Sequence, residues 1–353
     1  MRHLGLRFIL IACSHNRLTA PAIVLLLCLM TGSGCDYRKE FHFSGPTMGT
    51  TYHITIKAPF WNAMTSLDRS IREELVAVNK SMSVYDKESE ISRFNAIEDT
   101  HESMEISDRF AEVLSVSKQV WELTEGAFDP TVFPFVRLWG FYTDKDNGLP
   151  DAKELEAIQH RIGFGYVRFD DRNHIGKCIP TISLDLSAIA KGYGVDRIAD
   201  VIRKAGYTDF LVEIGGEVVA SGRKTSDHPW RIGINYPDPA APLDLVYKSL
   251  ALQDKAIATS GDYRNFRQIG GKRYTHIIDP KTARPIDNGV VSVSVIAHNC
   301  TLADGLATGL MVMGHEKGIA MIERLAGVEC LYLVKNADGA LQEFASSGFG
   351  KAP

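Results

Sequence analysis

The spacing of apolar residues predicts the first elements of this chain. Apolar and polar residues alternate across 51–57, which is the period of a half-buried strand. Apolar residues recur every three or four positions across 66–79 and again from Asp108 to Leu123, so both segments are predicted as amphipathic helices. The connection that follows, about 126–150, is punctuated by Gly and Pro but rich in aromatic residues. It is therefore predicted to be ordered.

The second half of the chain mixes short strands with helices. A strand is predicted from Ile182, followed by a helix over about 188–205 that ends at Gly206, a residue suited to a helix C-terminus. The remaining predicted elements are strands at 210–214, 230–234, 256–259, 274–278, 290–296 and 331–334 and helices at 301–313 and 317–325. Because strands and helices interleave irregularly and no repeat is detected, the pattern favours an α+β fold over a regular βαβ array.

The first 34 residues have the composition of an export signal. They contain three arginines and no acid, then an apolar run from Ala20 to Met30, then small residues before Cys35. The run is too short to span a bilayer comfortably. A cysteine in this position is similar to the bacterial lipobox, although Gly32 stands where an apolar residue is usual. We expect 1–34 to be a lipoprotein signal peptide and Cys35 to be lipidated (palmitate); an uncleaved N-terminal anchor is the alternative.

Charge and cysteine content exclude several functional classes. The chain has 39 basic and 43 acidic residues, and removal of 1–34 leaves 36 basic residues and a net charge of −7. An acidic body without a Lys/Arg cluster argues against nucleic acid as a partner. Cys178, Cys300 and Cys330 remain after the signal and the anchor, without CxxC spacing. A zinc site and a disulfide framework are therefore disfavoured, while one disulfide stays open.

The common nucleotide and hydrolase motifs are absent from the sequence, which contains no GxxxxGK[ST], no GxGxxG between a strand and a helix, no GxSxG and no HExxH. Asp304 and Thr308, four residues apart, would share one face of a predicted helix. A carboxylate and a hydroxyl on one face suit Mg²⁺, with waters and phosphates completing the octahedron. The alternative is that Asp304 caps its helix and Thr308 bonds back to its own backbone.

Two further clusters are candidates for anion binding and proton transfer. Asp185 to Gly194 runs from a predicted strand into a helix start, where free N–H groups favour an anion. Lys191 in that first turn is unfavourable unless an anionic ligand approaches; the alternative is a solvated lysine. His276 lies at a strand end before a turn at Asp279-Pro280. It is either a base or a structural histidine.

Taken in order, these clusters resemble the ApbE family of FAD:protein FMN transferases. The matching segments are Pro46–Thr50, Met82–Tyr85, Ser89–Asn95, Gly126–Thr131, Asp185–Gly194, Gly215–Glu217, Ser260–Tyr263, His276–Pro280 and Ala303–Thr308. They cover about 45–345, and so many segments in one order are very improbable by chance. The resemblance implies a linker over 35–44 and a single α+β domain over 45–353, with an ApbE-like, T-fold-like architecture of mixed sheet and helices.

The resemblance also implies the site residues. Those expected to contact FAD are Met48, Tyr85, Ala127, Phe128, Asp129, Asp185, Lys191 and Ile278. Mg²⁺ would be held by Asp304, Thr308 and the backbone carbonyl of Ala188, and His276 would be the base.

The implied reaction is Mg²⁺-dependent transfer of the FMN moiety of FAD to a Ser or Thr hydroxyl of an acceptor protein, with release of AMP. An Mg²⁺-dependent FAD pyrophosphatase and a non-catalytic FAD-binding lipoprotein are the alternatives. The expected acceptors are flavin-carrying subunits of membrane electron-transfer complexes. Asp36, directly after Cys35, is similar to the enteric signal that retains lipoproteins at the inner membrane. The expected location is therefore the inner membrane, facing the periplasm.

Overall fold

An eight-stranded sheet runs through the centre of the fold. The computed structural model describes residues 38–142, 148–242, 245–263, 265–336 and 338–351. The strand order of the large sheet is β1-β2-β6-β7-β10-β15-β16-β17. These strands are β1 (Arg38–Thr47), β2 (Thr50–Pro59), β6 (Phe210–Ile214), β7 (Glu217–Ser221), β10 (Lys255–Gly261), β15 (Val290–Ala297), β16 (Glu329–Lys335) and β17 (Leu341–Ala345). The recorded registers from β2 to β17 are all antiparallel.

Eight α-helices lie in the described part of the chain. They are α1 (Thr65–Met82), α2 (Glu90–Ala96), α3 (Asp108–Leu123), α4 (Phe133–Leu138), α5 (Ala152–Gln159), α6 (Ala190–Lys204), α7 (Cys300–Met313) and α8 (His315–Ile322). Apolar residues of α1, α3, α6 and α7 pack with those of the large sheet into the main core. Within the described residues, no helix is long and apolar enough to cross a membrane.

Among the described residues, nine further strands form four small sheets, ordered β3-β5-β4, β8-β9, β11-β12 and β13-β14. They are β3 (Ser103–Glu105), β4 (Val167–Phe169), β5 (His174–Lys177), β8 (Trp230–Asn235), β9 (Val246–Leu252), β11 (Phe266–Ile269), β12 (Lys272–Thr275), β13 (Ile278–Asp279) and β14 (Arg284–Pro285). Residues Lys39–Pro353 form one compact unit. The predicted α+β class is therefore confirmed.

The long periodic elements were predicted closely. Helix α3 has the predicted bounds, and so does strand β6. Helix α6 ends as predicted, because Gly206 follows it with a φ of +88°. These segments combine a clear apolar period with recognisable end signals, so local sequence sufficed for them.

Three predicted segments differ from the structure. Residues 38–44, assigned to a linker, belong to β1, which is the outer strand of the large sheet and carries mostly exposed side chains. The segment from Ile182 alternates buried and half-buried residues but is not part of a sheet. The predicted strand 274–278 is two strands, β12 and β13, with His276 between them.

Candidate active site

A cavity of about 360 Å³ opens at one end of the large sheet. The parts of the chain that meet there include the loop before α4, the segment before α6, the β6–β7 turn, the end of β10, the segment from His276 to Pro280 and helix α7. Ten of the predicted site residues line it: Ala127, Phe128, Asp129, Asp185, Ala188, Lys191, His276, Ile278, Asp304 and Thr308. Met48 and Tyr85 are not among the residues that line it.

Helix α7 is buried on almost every side, and this fixes the position of Asp304 and Thr308. Its N-terminus is capped by Asn299, which accepts a hydrogen bond from Leu302 N at 2.8 Å, and by Asp196 of α6, which accepts from Cys300 N and Thr301 N at 2.8 Å. Capping is therefore done by other residues, and the interpretation of Asp304 as a helix cap is wrong. The Thr308 hydroxyl lies 3.0 Å from Ser260 Oγ, a hydroxyl of strand β10.

Asp304 joins α7 to the first turn of α6. Its Oδ2 accepts a hydrogen bond from Gly192 N at 2.9 Å. In a regular helix that N–H would donate to the Ala188 carbonyl, four residues earlier. Among the described residues, no backbone N–H donates to the Ala188 carbonyl. The carbonyl oxygen of Ala188 is therefore available to a ligand near the Asp304 carboxylate.

The oxygens of Asp304, Thr308 and Ala188 fit a hard divalent cation. Mg²⁺ prefers oxygen ligands and usually retains several waters, so one carboxylate with neutral oxygens suffices. Within the described ranges, no group of three or more His, Cys, Asp or Glu side chains forms a metal site. The expected set includes only one such side chain, Asp304, so it stays a prediction.

Lys191 is not the solvated lysine that the sequence left open. Its Nζ lies 3.4 Å from Glu217 Oε1 and 3.9 Å from Asp304 Oδ1. Burial alone would lower the pKa of Lys191, but the carboxylates of Asp304 and Glu217 raise it above its ordinary value. The ammonium group therefore stays charged inside the cavity, where it can attract an anionic ligand.

Glu217 is a site residue that sequence reasoning did not select. It opens strand β7 and lines the cavity. Burial, opposed by Lys191 and assisted by Asp304, raises the pKa of Glu217 to about 8. Among the described residues, Glu217 Oε2 is buried without a hydrogen-bond partner. An unpartnered carboxylate oxygen in a cavity is costly unless a ligand or ion completes its bonding.

His276 lies between β12 and β13 with one ring nitrogen committed. Its Nδ1 is 2.9 Å from the Asn265 carbonyl oxygen. A carbonyl only accepts, so Nδ1 carries the proton and Nε2 of the neutral ring is left as an acceptor. Burial lowers the pKa of His276, opposed by the bond to Asn265 and assisted by Lys191. The ring is therefore neutral at pH 7 and has a free basic nitrogen.

The two acidic residues expected to contact FAD also organise the cavity wall. Asp129 Oδ1 accepts from Thr131 N at 2.8 Å and Oγ1 at 2.6 Å, and Oδ2 accepts from Phe164 N at 3.1 Å. Asp185 Oδ1 accepts from Ser187 N at 2.8 Å, forming a turn ahead of α6. Burial raises the pKa of both carboxyls. Asp129 thus holds its own loop.

Met48 and Tyr85 lie beside the cavity. Met48 occupies the β1–β2 turn at a φ of +47°, and a Cβ on Gly194 would lie 2.6 Å from Met48 Cε, so Met48 packs on the first turns of α6. Tyr85 is 83% exposed. Tyr142 lines the cavity and is 57% exposed, and Asp185 and Tyr85 are among its electrostatic neighbours. Tyr142 was not selected from the sequence and marks the entrance on the side of Tyr85.

Comparisons with known proteins agree with this geometry. The sequence model of the ApbE family matches residues 48–332. The chain is 44% identical over 338 residues to a FAD:protein FMN transferase of Vibrio cholerae, covering 95% of this chain and 98% of that relative. It is 35% identical over 344 residues to a FAD:protein FMN transferase of Haemophilus influenzae, again covering 95% and 98%.

A solved structure shows the same fold. The flavin transferase ApbE from Vibrio cholerae superposes with a TM-score of 0.80 at 43% identity, covering 88% of this chain and 98% of that chain. The family match spans all of the cavity residues named above. The chain belongs to the ApbE family.

Proposed function

We propose that this chain is an Mg²⁺-dependent FAD:protein FMN transferase that links FMN through a phosphoester bond to a Ser or Thr hydroxyl of an acceptor protein. Its relatives at 44% and 35% identity carry the name FAD:protein FMN transferase. The observation that carries the proposal is that one cavity contains both His276, with Nε2 free, and the oxygens of Asp304, Thr308 and Ala188.

The reaction breaks one bond of the FAD pyrophosphate and forms one phosphoester. The acceptor hydroxyl oxygen attacks the phosphorus of the FMN half. The bridging oxygen leaves with AMP, and the hydroxyl proton passes to a base. A Ser or Thr hydroxyl is a weak nucleophile at neutral pH, so a positioned base is required.

His276 is the residue that takes the proton in this proposal. The bond from Nδ1 to the Asn265 carbonyl fixes the tautomer, so the lone pair of Nε2 is available before substrate arrives. The low pKa of His276 keeps the ring neutral at physiological pH. Phe141 contacts the ring edge to face, with ring centroids 6.2 Å apart, and limits its rotation.

Lys191 and the oxygen set bind the phosphates. Lys191, charged and placed at the start of α6, is suited to bind a pyrophosphate oxygen. Asp304, Thr308 and Ala188 would hold Mg²⁺. When bound, Mg²⁺ neutralises negative charge on the pyrophosphate.

The same site would hydrolyse FAD to FMN and AMP if water replaced the acceptor hydroxyl. Exposed Tyr85 and Tyr142 lie where an acceptor would approach. We infer that the docked acceptor covers the entrance and excludes water, and that this decides between transfer and hydrolysis.

We further propose that 1–34 is a lipoprotein signal peptide, that Cys35 carries the lipid, and that the domain over 45–353 faces the periplasm from the inner membrane. Residues 1–37 lie outside the described part of the chain. This proposal rests on their sequence alone. The proposed acceptors are flavin-carrying subunits of membrane electron-transfer complexes.

An acceptor-labelling assay tests the function. The full chain is incubated with FAD, Mg²⁺ and a flavin-carrying acceptor domain, and the acceptor is weighed by mass spectrometry while AMP is quantified. Covalent FMN on the acceptor, abolished when its hydroxyl residue is replaced by Val, is the expected result. AMP without labelling would indicate a pyrophosphatase, and FAD binding without AMP a non-catalytic flavoprotein.

Ligand variants test the metal set in the same assay. Asp304→Ala should lower the rate of FMN transfer by more than the roughly 10–100-fold that is typical for loss of a residue in the outer shell of a metal site. Added Mg²⁺ should not restore the rate fully. Thr308→Ala should lose less, because a neutral oxygen gives up less charge interaction and water can replace it. Asp171→Ala, at an exposed turn, is the matched control. Near-normal activity of Asp304→Ala at low Mg²⁺ would place the metal elsewhere.

A further inference from the structure

Two consecutive aromatic residues are exposed just after strand β2. Phe60 is 59% and Trp61 64% exposed, and their rings contact each other edge to face at 5.0 Å. The other three tryptophans, Trp121, Trp139 and Trp230, are buried or half-buried. An exposed Phe-Trp pair costs solubility, which indicates a surface that is covered in the working protein.

The pairing of β1 with β2 places this pair near the start of the domain. The two strands are joined by the two-residue turn Met48-Gly49, in which both φ values are positive, as a tight hairpin requires. The hydrogen bond of 3.1 Å between His42 Nδ1 and Thr55 Oγ1 reports the register. That register brings Lys39 opposite Ala58, so the first strand begins where Phe60 and Trp61 are exposed.

Three basic residues lie at the same end of the large sheet as the aromatic pair. Asn62 donates to the Tyr207 hydroxyl at 3.2 Å, which brings the end of α6, with exposed Lys204, to this end of the sheet. Arg223 follows β7, which pairs with the start of β6, and its N–H donates to Asp209 Oδ1 at 2.8 Å. We call Lys39, Phe60, Trp61, Lys204 and Arg223 the basal surface.

Most acids at this end already have partners. Glu40 lies 3.9 Å from Lys224 Nζ, and Asp200 accepts from Arg203 at 3.1 Å. Asp209 accepts the Arg223 backbone bond described above. The basal surface therefore combines two aromatic rings with three cations, and the neighbouring acids Glu40 and Asp209 offset part of that positive charge.

The catalytic cavity lies at the opposite end of the large sheet. The β6–β7 turn at Gly215 and the first turn of α6 at Lys191 line the cavity, whereas β2 and α6 both end at the basal surface. Strand β2 has ten residues. At about 3.3 Å per residue, its ends lie roughly 30 Å apart.

We propose that the basal surface rests on an anionic bilayer and presents the catalytic cavity about 30 Å from it. The proposal builds on lipidation of Cys35, which is four residues before Lys39. A chain of that length reaches at most about 14 Å, so a lipid there brings the bilayer to this end of the domain. Trp and Phe rings favour the membrane–water boundary, and Lys and Arg are attracted to anionic headgroups.

The fluorescence of Trp61 can be used to test this contact. The lipidated full-length protein is reconstituted into phosphatidylethanolamine–phosphatidylglycerol vesicles with brominated acyl chains, which quench tryptophan at short range. The contribution of Trp61 to the fluorescence is the difference between the wild-type protein and the Trp61→Phe variant. We expect the brominated lipids to quench most of that contribution in the wild-type protein and to quench the Trp61→Phe variant little. Tyr166→Trp in the Trp61→Phe background is the matched control, since Tyr166 is also exposed but lies two residues after Phe164, whose N–H donates to the cavity residue Asp129. That tryptophan should stay unquenched.

Flotation of the vesicles and FMN transfer are measured on the same samples. Protein that floats with an unquenched Trp61 would overturn the contact while leaving the anchor intact. Protein that fails to float would overturn both the anchor and the contact that rests on it. Trp61 emission that changes with protein concentration but not with vesicles would assign the pair to contact between two copies instead. Quenching requires neither FAD nor an acceptor, so a failed transferase reaction would leave this result standing.

Discussion

His276, the proposed base, illustrates how one backbone carbonyl can fix the tautomer of a histidine. Asn265 accepts from Nδ1, and burial removes water that would stabilise the imidazolium. The turn that follows His276 is held by hydrogen bonds of Asp279. Asp279 Oδ1 accepts from Lys281 N at 2.8 Å, and Oδ2 accepts from the Thr282 hydroxyl at 3.1 Å, so this carboxylate caps the turn after β13.

We predict that His276→Ala lowers the rate of FMN transfer by about 10²–10⁴-fold while FAD binds with similar affinity. The rate constant is measured by acceptor labelling and the affinity by FAD titration. His101→Ala, at an exposed turn, is the control. Loss of FAD binding in His276→Ala would make His276 a ligand contact, and a normal rate would assign the proton to another group.

The pH dependence has a definite sign. The pKa of His276 is lowered from its ordinary value of about 6.5, so the basic form persists below that pH. The acid limb of the wild-type rate should therefore lie below pH 6.5 and be missing in His276→Ala.

At the level of single residues, the sequence identified the proposed metal ligands but not all of the residues that surround them in the cavity. Asp304 and Thr308 were assigned to one helix face from spacing alone, and the structure places both in the cavity. Glu217 was not selected, although a glutamate that opens an otherwise apolar run, Glu217–Ser221, is a signal of a buried functional carboxylate. Tyr142 gave no usable signal, because its position depends on contacts far apart in the chain.

At the level of elements, hydrogen bonding decides whether a segment with alternating apolar residues becomes a strand of a sheet. The segment from Ile182 has the alternation of a strand, but the Asn95 side chain takes the place of a neighbouring strand. Asn95 Nδ2 donates to Leu184 O at 2.9 Å, and Oδ1 accepts from Leu184 N at 2.7 Å. Strand β7 is the opposite case. All five of its residues are buried, so its sequence does not alternate between apolar and polar residues, and the strand was not predicted.

Helices α6 and α7 approach closely at Gly192, and we predict that Gly192→Ala destabilises the protein. A Cβ there would collide with the Cys300 carbonyl and lie 2.7 Å from Asp304 Cβ, both in α7. In an open helix this substitution would stabilise by up to about 1 kcal/mol. Overpacking instead costs about 1–3 kcal/mol, so the free energy of unfolding should fall.

Thermal unfolding and FMN transfer are both measured, because Gly192 N–H also holds Asp304. Gly165→Ala is the matched control, since its Cβ would meet nothing closer than Trp121 at 3.9 Å and should be tolerated. Unchanged stability in Gly192→Ala would mean that the two helices separate more easily than their contact suggests.

At the level of the whole molecule, the sequence predicted the α+β class but not the sheet order. The large sheet places β2 beside β6 and β10 between β7 and β15, so neighbours come from distant parts of the chain. Apolar period reports which face of a strand is buried, but it carries no information on which strand lies next to it. The outer strand β1 was missed because, within the described ranges, it has a neighbouring strand on one side only and most of its side chains are exposed.

The catalytic domain and its proposed anchor should separate cleanly. We predict that Cys35→Ala is released from the membrane or incompletely processed, because the proposed lipid on Cys35 would supply most of the attachment of the domain to the membrane. Cell fractionation with fatty-acid labelling measures this. Cys178→Ala is the matched control, since Cys178 is a free, exposed cysteine of the domain and should leave labelling and location unchanged.

Transfer to a soluble acceptor should survive in purified Cys35→Ala protein, because every cavity residue lies between Ala127 and Val312. Asp36→Ser should move the lipidated protein from the inner to the outer membrane fraction if Asp36 is the sorting residue. Native protein recovered free in the periplasm would contradict the anchor. Release of Cys35→Ala with full activity in solution but poor labelling of membrane-bound acceptors would show that the anchor acts by placing the cavity near its acceptors.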